Sequence, residues 1–172
     1  MCSKVWYNGI ILQTGYIMNI FILNDDPVKA AQDQCDKHVV KMIVESAQML
    51  STAHRILDGV EEIRPSKSGK TRQKYWCLKN PEMEDTLYAA VHRGHPCTIW
   101  TMESVYNYHW HYDHFVALLN EYTYRYGKEH STQRLKYWLV KPPQNIPHVP
   151  FTEFKLAMTH EPQCMYEGQT VR

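Results

Sequence analysis

Three side chains able to do chemistry, His38, Lys41 and Glu45, fall at intervals of three and four residues in the stretch Asp36-Lys37-His38-Val39-Val40-Lys41-Met42-Ile43-Val44-Glu45. On a helix these offsets bring a base, an amine and a carboxylate onto one stripe, with Lys41 and Glu45 paired across one turn. A carboxylate beside a cation stays ionised and can stabilise positive charge developing on a sugar, and a partly desolvated lysine is an amine nucleophile. The same stripe continues through Gln34, Gln48, Thr52 and Arg55, next to an apolar face of Val28, Cys35, Val39, Ile43, Ser46, Leu50, Ala53 and Leu57. That pattern also describes any amphipathic surface helix, with the apolar face buried and the polar stripe in water.

Other groups invite weaker readings. The densest histidine cluster is His109-Trp110-His111-Tyr112-Asp113-His114. On a helix His109 and Asp113 share one face and His111 and His114 another, so the four do not converge, and neither H-E-x-x-H nor zinc-finger spacing is present; no metal is expected. Gly94-His95-Pro96-Cys97-Thr98 leads into a helix N-terminus, a place where backbone donors and the helix dipole can meet an anion. Cys97 there reads as a packed, inert thiol unless its pKa is lowered. Six basic residues, Arg64, Lys67, Lys70, Arg72, Lys74 and Lys79, with no acidic one among them, form a basic loop that is either solvated or a phosphate-contacting arm. Tyr122-Thr123-Tyr124-Arg125-Tyr126-Gly127-Lys128 mixes cations with rings, which suits a nucleic-acid surface or a half-buried helix face.

The elements that must position these groups begin at Asn24-Asp25-Asp26-Pro27, where Asp26 caps a helix and Pro27 takes its first position. One helix is expected from there to about Leu57, stopped by Asp58-Gly59 and broken or kinked near Gln34 or Ser51. Ahead of it, Met18 to Leu23 is an apolar run, a short buried strand or an extended arm, and residues 1–17 read either as an extension before Met18 or as an ordinary strand. Asn80-Pro81 opens a helix expected to reach His92, and Gly94-His95-Pro96 interrupts it. A long amphipathic helix over Thr98 to Tyr126, ended by Gly127, should pack against the first helix. Ser131 caps a shorter helix to Leu139, and Pro142, Pro143, Pro147 and Pro150 then impose extended structure. From Thr159 to Arg172 the periodicity weakens into a tail or an incomplete helix. The fold class is mainly α: a compact bundle of three to five helices with an N-terminal extended arm and an irregular Pro-rich C-terminal segment. Its divisions are 1–17, a helical domain 18–141 carrying the basic loop 58–79, and 142–172.

With 172 residues, 44% hydrophobic, 12% aromatic and a net charge of +1, the chain suits one domain, and its overall field favours no charged partner. A charged partner must be met by a local patch. Five cysteines, odd in number and without a C-x-x-C pair, indicate reduced thiols in a cytoplasm. No apolar run reaches the roughly 18 residues a membrane span needs, so no membrane partner is expected.

Asp36-Lys37-His38 with Glu45, then Gly94-His95 before the long middle helix, then Arg125-Tyr126-Gly127 at its end, make an order that resembles the pyrimidine-dimer DNA glycosylase family of the phage endonuclease V type. The resemblance spans residues 18 to 130. It implies a DNA glycosylase with abasic-site lyase activity on damaged or modified pyrimidines: the nucleotide is flipped, an N-terminal α-amine attacks the sugar C1′ to form a Schiff base, and a glutamate stabilises the cation. Carried over, Glu45 stabilises the cation, His38 neighbours the DNA, and Arg125 and Lys128 contact phosphate. Beside that resemblance, the residues themselves add Lys41 to Glu45 and His38 as the candidate catalytic group, and Lys37, Gln48, His95 and, from the basic loop, Arg72 and Lys74 as candidate nucleic-acid contacts. Double-stranded DNA is the implied partner, no cofactor is called for, and the setting is the cytoplasm of an infected or host bacterial cell. The chain departs from the family where seventeen residues precede Met18, where Asn19 follows it, and where basic residues flanking the glutamate are Val44 and Gln48. Either Lys41 then supplies the amine, or the scaffold is kept as a non-enzymatic accessory protein that binds nucleic acid or a host protein.

Overall fold

The computed structural model describes residues 19–66 and 68–155, together with the backbone of a short hairpin, β1 (Val5–Tyr7) and β2 (Ile10–Leu12). Expectations for Met18 and for 159–172 lie outside the described residues. The chain is mainly helical, with six α-helices among the described residues where three to five were expected.

The extra helices arise at breaks. The first predicted helix is two, α1 (Pro27–Gln32) and α2 (Asp36–Asp58), divided where a break near Gln34 was foreseen. Asp26 caps α1 as read, its Oδ1 accepting from Val28 N at 2.8 Å. The carbonyls of Gln32 and Gln34, released from the helical ladder, are taken by the Arg125 guanidinium at 3.0 and 2.8 Å, which satisfies the break from outside. Gln34 itself turns inward beside the Ile20 carbonyl.

Helix α2 is the centre of the molecule. Val39, Met42, Ile43, Ala47, Leu50 and Ala53 are fully buried, while Val28 and Cys35, assigned to the same face, are exposed because the break rotates them away. The polar stripe is only partly water-facing: Lys41 is exposed, and His38 and Gln48 are half-buried. Gln34, Glu45, Thr52 and Arg55 are buried where other segments cover that side, and Glu45, Thr52 and Arg55 find hydrogen-bond partners there.

Gly59 ends α2, and the predicted basic loop is instead a two-stranded antiparallel ribbon, β3 (Val60–Pro65) and β4 (Arg72–Cys77), paired Val60 to Cys77 through Pro65 to Arg72. Tyr75 and Trp76 point to opposite faces and anchor the second half of β4, whereas Arg72 to Lys74 are exposed. Helix α3 (Pro81–Thr86), capped by Asn80, stops well short of His92. Arg55 holds the carbonyls of Glu84, Leu87 and Tyr88, so the chain leaves the helix and runs as a strap along α2.

The long middle helix is also two, α4 (Pro96–Glu103) and α5 (Val105–Tyr126). Ser104 is extended between them and caps α5, its hydroxyl donating to the Val149 carbonyl and accepting from Tyr106 N. The proline-rich segment therefore stitches the break, and Val105 N donates to Pro147 O at 2.9 Å. As read, α5 packs on α2 and ends at Gly127. A 3-10 turn (Ser131–Leu135) and α6 (Lys136–Leu139) follow, capped by His130 rather than Ser131. Residues 142–155 are extended and lie on the helices: Asp58 accepts from Gln144 N and Asn145 N, and Thr152 binds Asn107. No helix among the described residues is long and apolar enough to cross a membrane.

Candidate functional site

Glu45 sits mid-way along α2, only 7% exposed, and each carboxylate oxygen meets a nitrogen. Lys41 Nζ lies 3.1 Å from Oε1, one turn back on the same helix, and Asn19 N donates to Oε2 at 3.1 Å from 26 residues away. The side chain of Asn19 folds the arm at this point, its Oδ1 accepting from Ile20 N at 2.7 Å and Phe21 N at 3.1 Å. Phe21 then stacks on His38, with ring centroids 4.5 Å apart and planes 7° from parallel. His38, Lys41 and Glu45 thus share one stripe as their spacing predicts, and the arm closes over it.

The strap supplies the opposite wall. Tyr88 O accepts from Arg55 Nε at 2.6 Å, Val91 N donates to the Thr52 hydroxyl at 3.1 Å, and His95 comes within electrostatic range of Glu45. His95 caps α4 through Nδ1, which accepts from Cys97 N at 3.2 Å, so its proton is on Nε2. Burial, then the neighbouring His92, push its pKa down, against an upward pull from Glu45. A neutral imidazole with a free N–H results. Cys97 is buried behind it, and burial first, reinforced by the Glu45 charge, raises its thiol to about 11. That thiol is inert, as the sequence suggested.

Among the described residues, two other than glycine have positive φ, Phe21 at 51° and His92 at 48°. One is on the arm and the other on the strap, on either side of Glu45. Such backbone costs about 1–3 kcal/mol per residue and persists where surrounding contacts over-determine it, which happens often at functional sites.

The site residues predicted from sequence divide into three groups. His38, Lys41, Glu45 and His95 come together. Lys37 is exposed on the first turn of α2, and Gln48, half-buried, lies one turn past Glu45. Arg125 is turned inward to the break, bound to Gln32 O, Gln34 O, Asp36 and Glu121, so its guanidinium braces the fold and is not offered to phosphate. Lys128 is exposed beyond Gly127, and Arg72 and Lys74 stand on the ribbon, Lys74 paired with Glu61 at 2.8 Å. Asn19 and Phe21 were not identified from sequence as site residues. Their contacts are long-range, and no local spacing signals them.

The histidine cluster splits as its helical offsets require, with His111 and His114 interior and His109 and Asp113 exposed. His111 Nδ1 bonds Thr101 Oγ1 at 2.8 Å and His114 Nε2 lies 3.2 Å from Gln34 Nε2, while burial alone drives His114 down to about 3. Among the described residues no group of three or more His, Cys, Asp or Glu is placed to hold a metal ion. A groove of about 720 Å³ between α1 and α5, lined by Val28, Asp113, Val116, Glu121 and Tyr124 among others, includes none of the Glu45 group. Comparison with family models, with curated proteins and with solved structures gave no match.

Proposed function

We propose that the chain acts on double-stranded DNA as a glycosylase with an abasic-site lyase step, using Glu45 as its essential carboxylate. One observation carries the reading: a buried carboxylate holds a nitrogen on each oxygen, Lys41 Nζ and Asn19 N, both at 3.1 Å. Amine and carboxylate are the pair this chemistry needs. Glu45 takes a proton from the Lys41 ammonium, the freed lone pair attacks C1′, and the bond from C1′ to the base breaks with its electrons leaving on the base, which takes up that proton and leaves Glu45 ionised again. The C1′–O4′ bond then opens, O4′ receives a proton from the nitrogen, and a protonated imine remains. Glu45 stabilises that cation and takes the C2′ proton whose loss expels the 3′ phosphate. His95, neutral with N–H on Nε2, is a donor on the same wall.

In the full chain Asn19 N is a peptide nitrogen whose lone pair is delocalised, so it orients Glu45 while Lys41 supplies the amine. In a chain beginning at Asn19 an α-amine would replace that N–H. Borohydride trapping on a duplex with one abasic site tests this. The full chain should form a covalent adduct that is lost in Lys41→Ala and in Glu45→Gln. Absence of an adduct both from the full chain and from a chain beginning at Asn19, with duplex binding intact, would remove the lyase step.

A second reading, a non-enzymatic accessory protein that binds nucleic acid or a host protein, is favoured by the amide character of Asn19 N. It makes Glu45 a structural acceptor. On that reading Glu45→Gln leaves function unchanged and binding follows Arg72 and Lys74. Both readings belong to the cytoplasm of an infected or host bacterial cell, where Cys35, Cys77 and Cys97 stay as free thiols.

A further inference from the structure

We infer that the β3–β4 ribbon is an arm that lies in the major groove of duplex DNA beside the Glu45 site, an inference that rests on the DNA reading above. The ribbon stands away from the helices. Every residue of β3 is exposed, as are Arg72 to Lys74 of β4, and the ribbon is attached at its base and through the Arg64 side chain, which approaches Glu84. There Trp76 is 7% exposed beneath the Arg93 guanidinium at 4.4 Å, and Tyr75 donates to Glu84 at 2.7 Å. Six residues per strand at about 3.4 Å each give an arm of roughly 20 Å, and the major groove, about 12 Å wide, admits a two-stranded ribbon.

Its two faces differ. Opposed residues share a side, so the register puts Glu62, Arg64 and Tyr75 on one face and Ile63, Pro65, Arg72 and Lys74 on the other. The first face is closed against the body: Arg64 lies over the Tyr75 ring at 4.1 Å, holds Glu62 at 3.2 Å and approaches Glu84 at 4.0 Å. The second also carries Glu61 and, buried at the base, Trp76. Beyond them it is open, with Ile63 62% exposed beside Lys74, which Glu61 holds at 2.8 Å, and on the same side as Arg72. Charge is graded along the length. Glu61 and Glu62 are near the base, and Lys70 and Arg72, nearer the tip, have no ion pair among the described residues. A cationic tip with an apolar patch between its cations matches phosphate walls and a thymine-methyl-bearing groove floor.

The strap makes ribbon and site continuous. Tyr88 is tied to Arg55 and Val91 to Thr52, so residues 88–91 run back along α2 from the ribbon base, and His95 beyond them lies within the electrostatic range of Glu45. Arg93, stacked on Trp76, is two residues from His95, at most about 7 Å of chain. A duplex presented to Glu45 therefore passes the base of the arm.

Equilibrium binding of the full chain to an undamaged duplex of roughly 20 base pairs, long enough for about two helical turns, is measured by fluorescence anisotropy across NaCl concentration. The double variant Lys70→Ala/Arg72→Ala should flatten the log–log salt slope by about 1.8, the release expected for two phosphate contacts, and weaken low-salt binding about tenfold. Ile63→Asp should weaken duplex binding while sparing a single strand of the same sequence. An unchanged slope, or equal losses on duplex and single strand, overturns the arm. Duplex binding through the ribbon without a borohydride adduct, from the full chain and from the chain beginning at Asn19 alike, upholds the arm and ends the lyase reading. An adduct with an unchanged slope does the reverse.

Discussion

Arg55 carries more of the interior than any apolar side chain beside it. Fully buried, it sends Nε to Tyr88 O, one terminal nitrogen to Trp76 O and Glu84 Oε2, and the other to Glu84 O and Leu87 O, all between 2.6 and 2.9 Å. That fork joins α2, β4, α3 and the strap, which is why the strap can deliver His95 to Glu45. A lysine keeps the charge but has three donors on one point, so at least two of these five acceptors lose their partner in a buried place. Arg55→Lys should cost about 3 kcal/mol and lower Tm by roughly 10 °C in calorimetry. A shift within about 3 °C would mean that water replaces the lost bonds and that the fork is dispensable. At this scale the sequence was half legible. The stripe from His38 to Glu45 follows from helical offsets, but burial of Glu45 and Arg55 required segments 26 and 33 residues distant to come and satisfy them.

Elements were read more securely where local chemistry sets them. Asp26-Pro27 and Asn80-Pro81 start helices because a capping carboxylate or amide and a proline act within one turn. The breaks at 33–35 and at Ser104 are a different matter, since the groups that hold them open are Arg125 and the carbonyls of Pro147 and Val149. Two glycines show the same contrast. Gly127 takes φ +64° to end α5 and faces open space, so its requirement is conformational and local. Gly59 has ordinary φ, but an added Cβ would collide with the Arg55 carbonyl and stand 3.1 Å from Trp76 Cβ. Gly59→Ala should therefore cost about 2–3 kcal/mol in urea unfolding, against about 1 kcal/mol for Gly127→Ala. Equal costs would show that β3 leaves α2 without needing close contact there.

For the whole molecule the buried histidines govern the response to acid. Burial lowers His54 to about 4 and His114 to about 3, and holds His111 well below its ordinary value, with Asp58 opposing the shift only at His54. Unfolded, each titrates near 6.5, so between that value and the depressed native values the unfolded chain binds protons that the folded chain refuses. Stability is then full above about pH 6.5 and declines as pH falls, by up to about 1.4 kcal/mol per pH unit for each histidine. Circular dichroism at decreasing pH should find cooperative unfolding between about pH 4 and 6, above the ordinary carboxylate range. A chain still folded at about pH 3 would show that these imidazoles are protonated in the native state.

The sequence by itself determined a mainly helical chain, the principal helix starts, the stop at Gly127 and the alignment of His38, Lys41 and Glu45, because capping, backbone conformation and helical offset act within a few residues. Tertiary structure alone decided that Glu45, Thr52 and Arg55 of the polar stripe are buried while Lys41 stays exposed, that the basic stretch is a ribbon, and that Asn19 donates to Glu45 with His95 in its electrostatic range. The physical reason is common to all three. Burying a charged side chain such as Glu45 or Arg55 is costly unless distant groups satisfy it, and those partners are chosen by packing, not by neighbours in sequence.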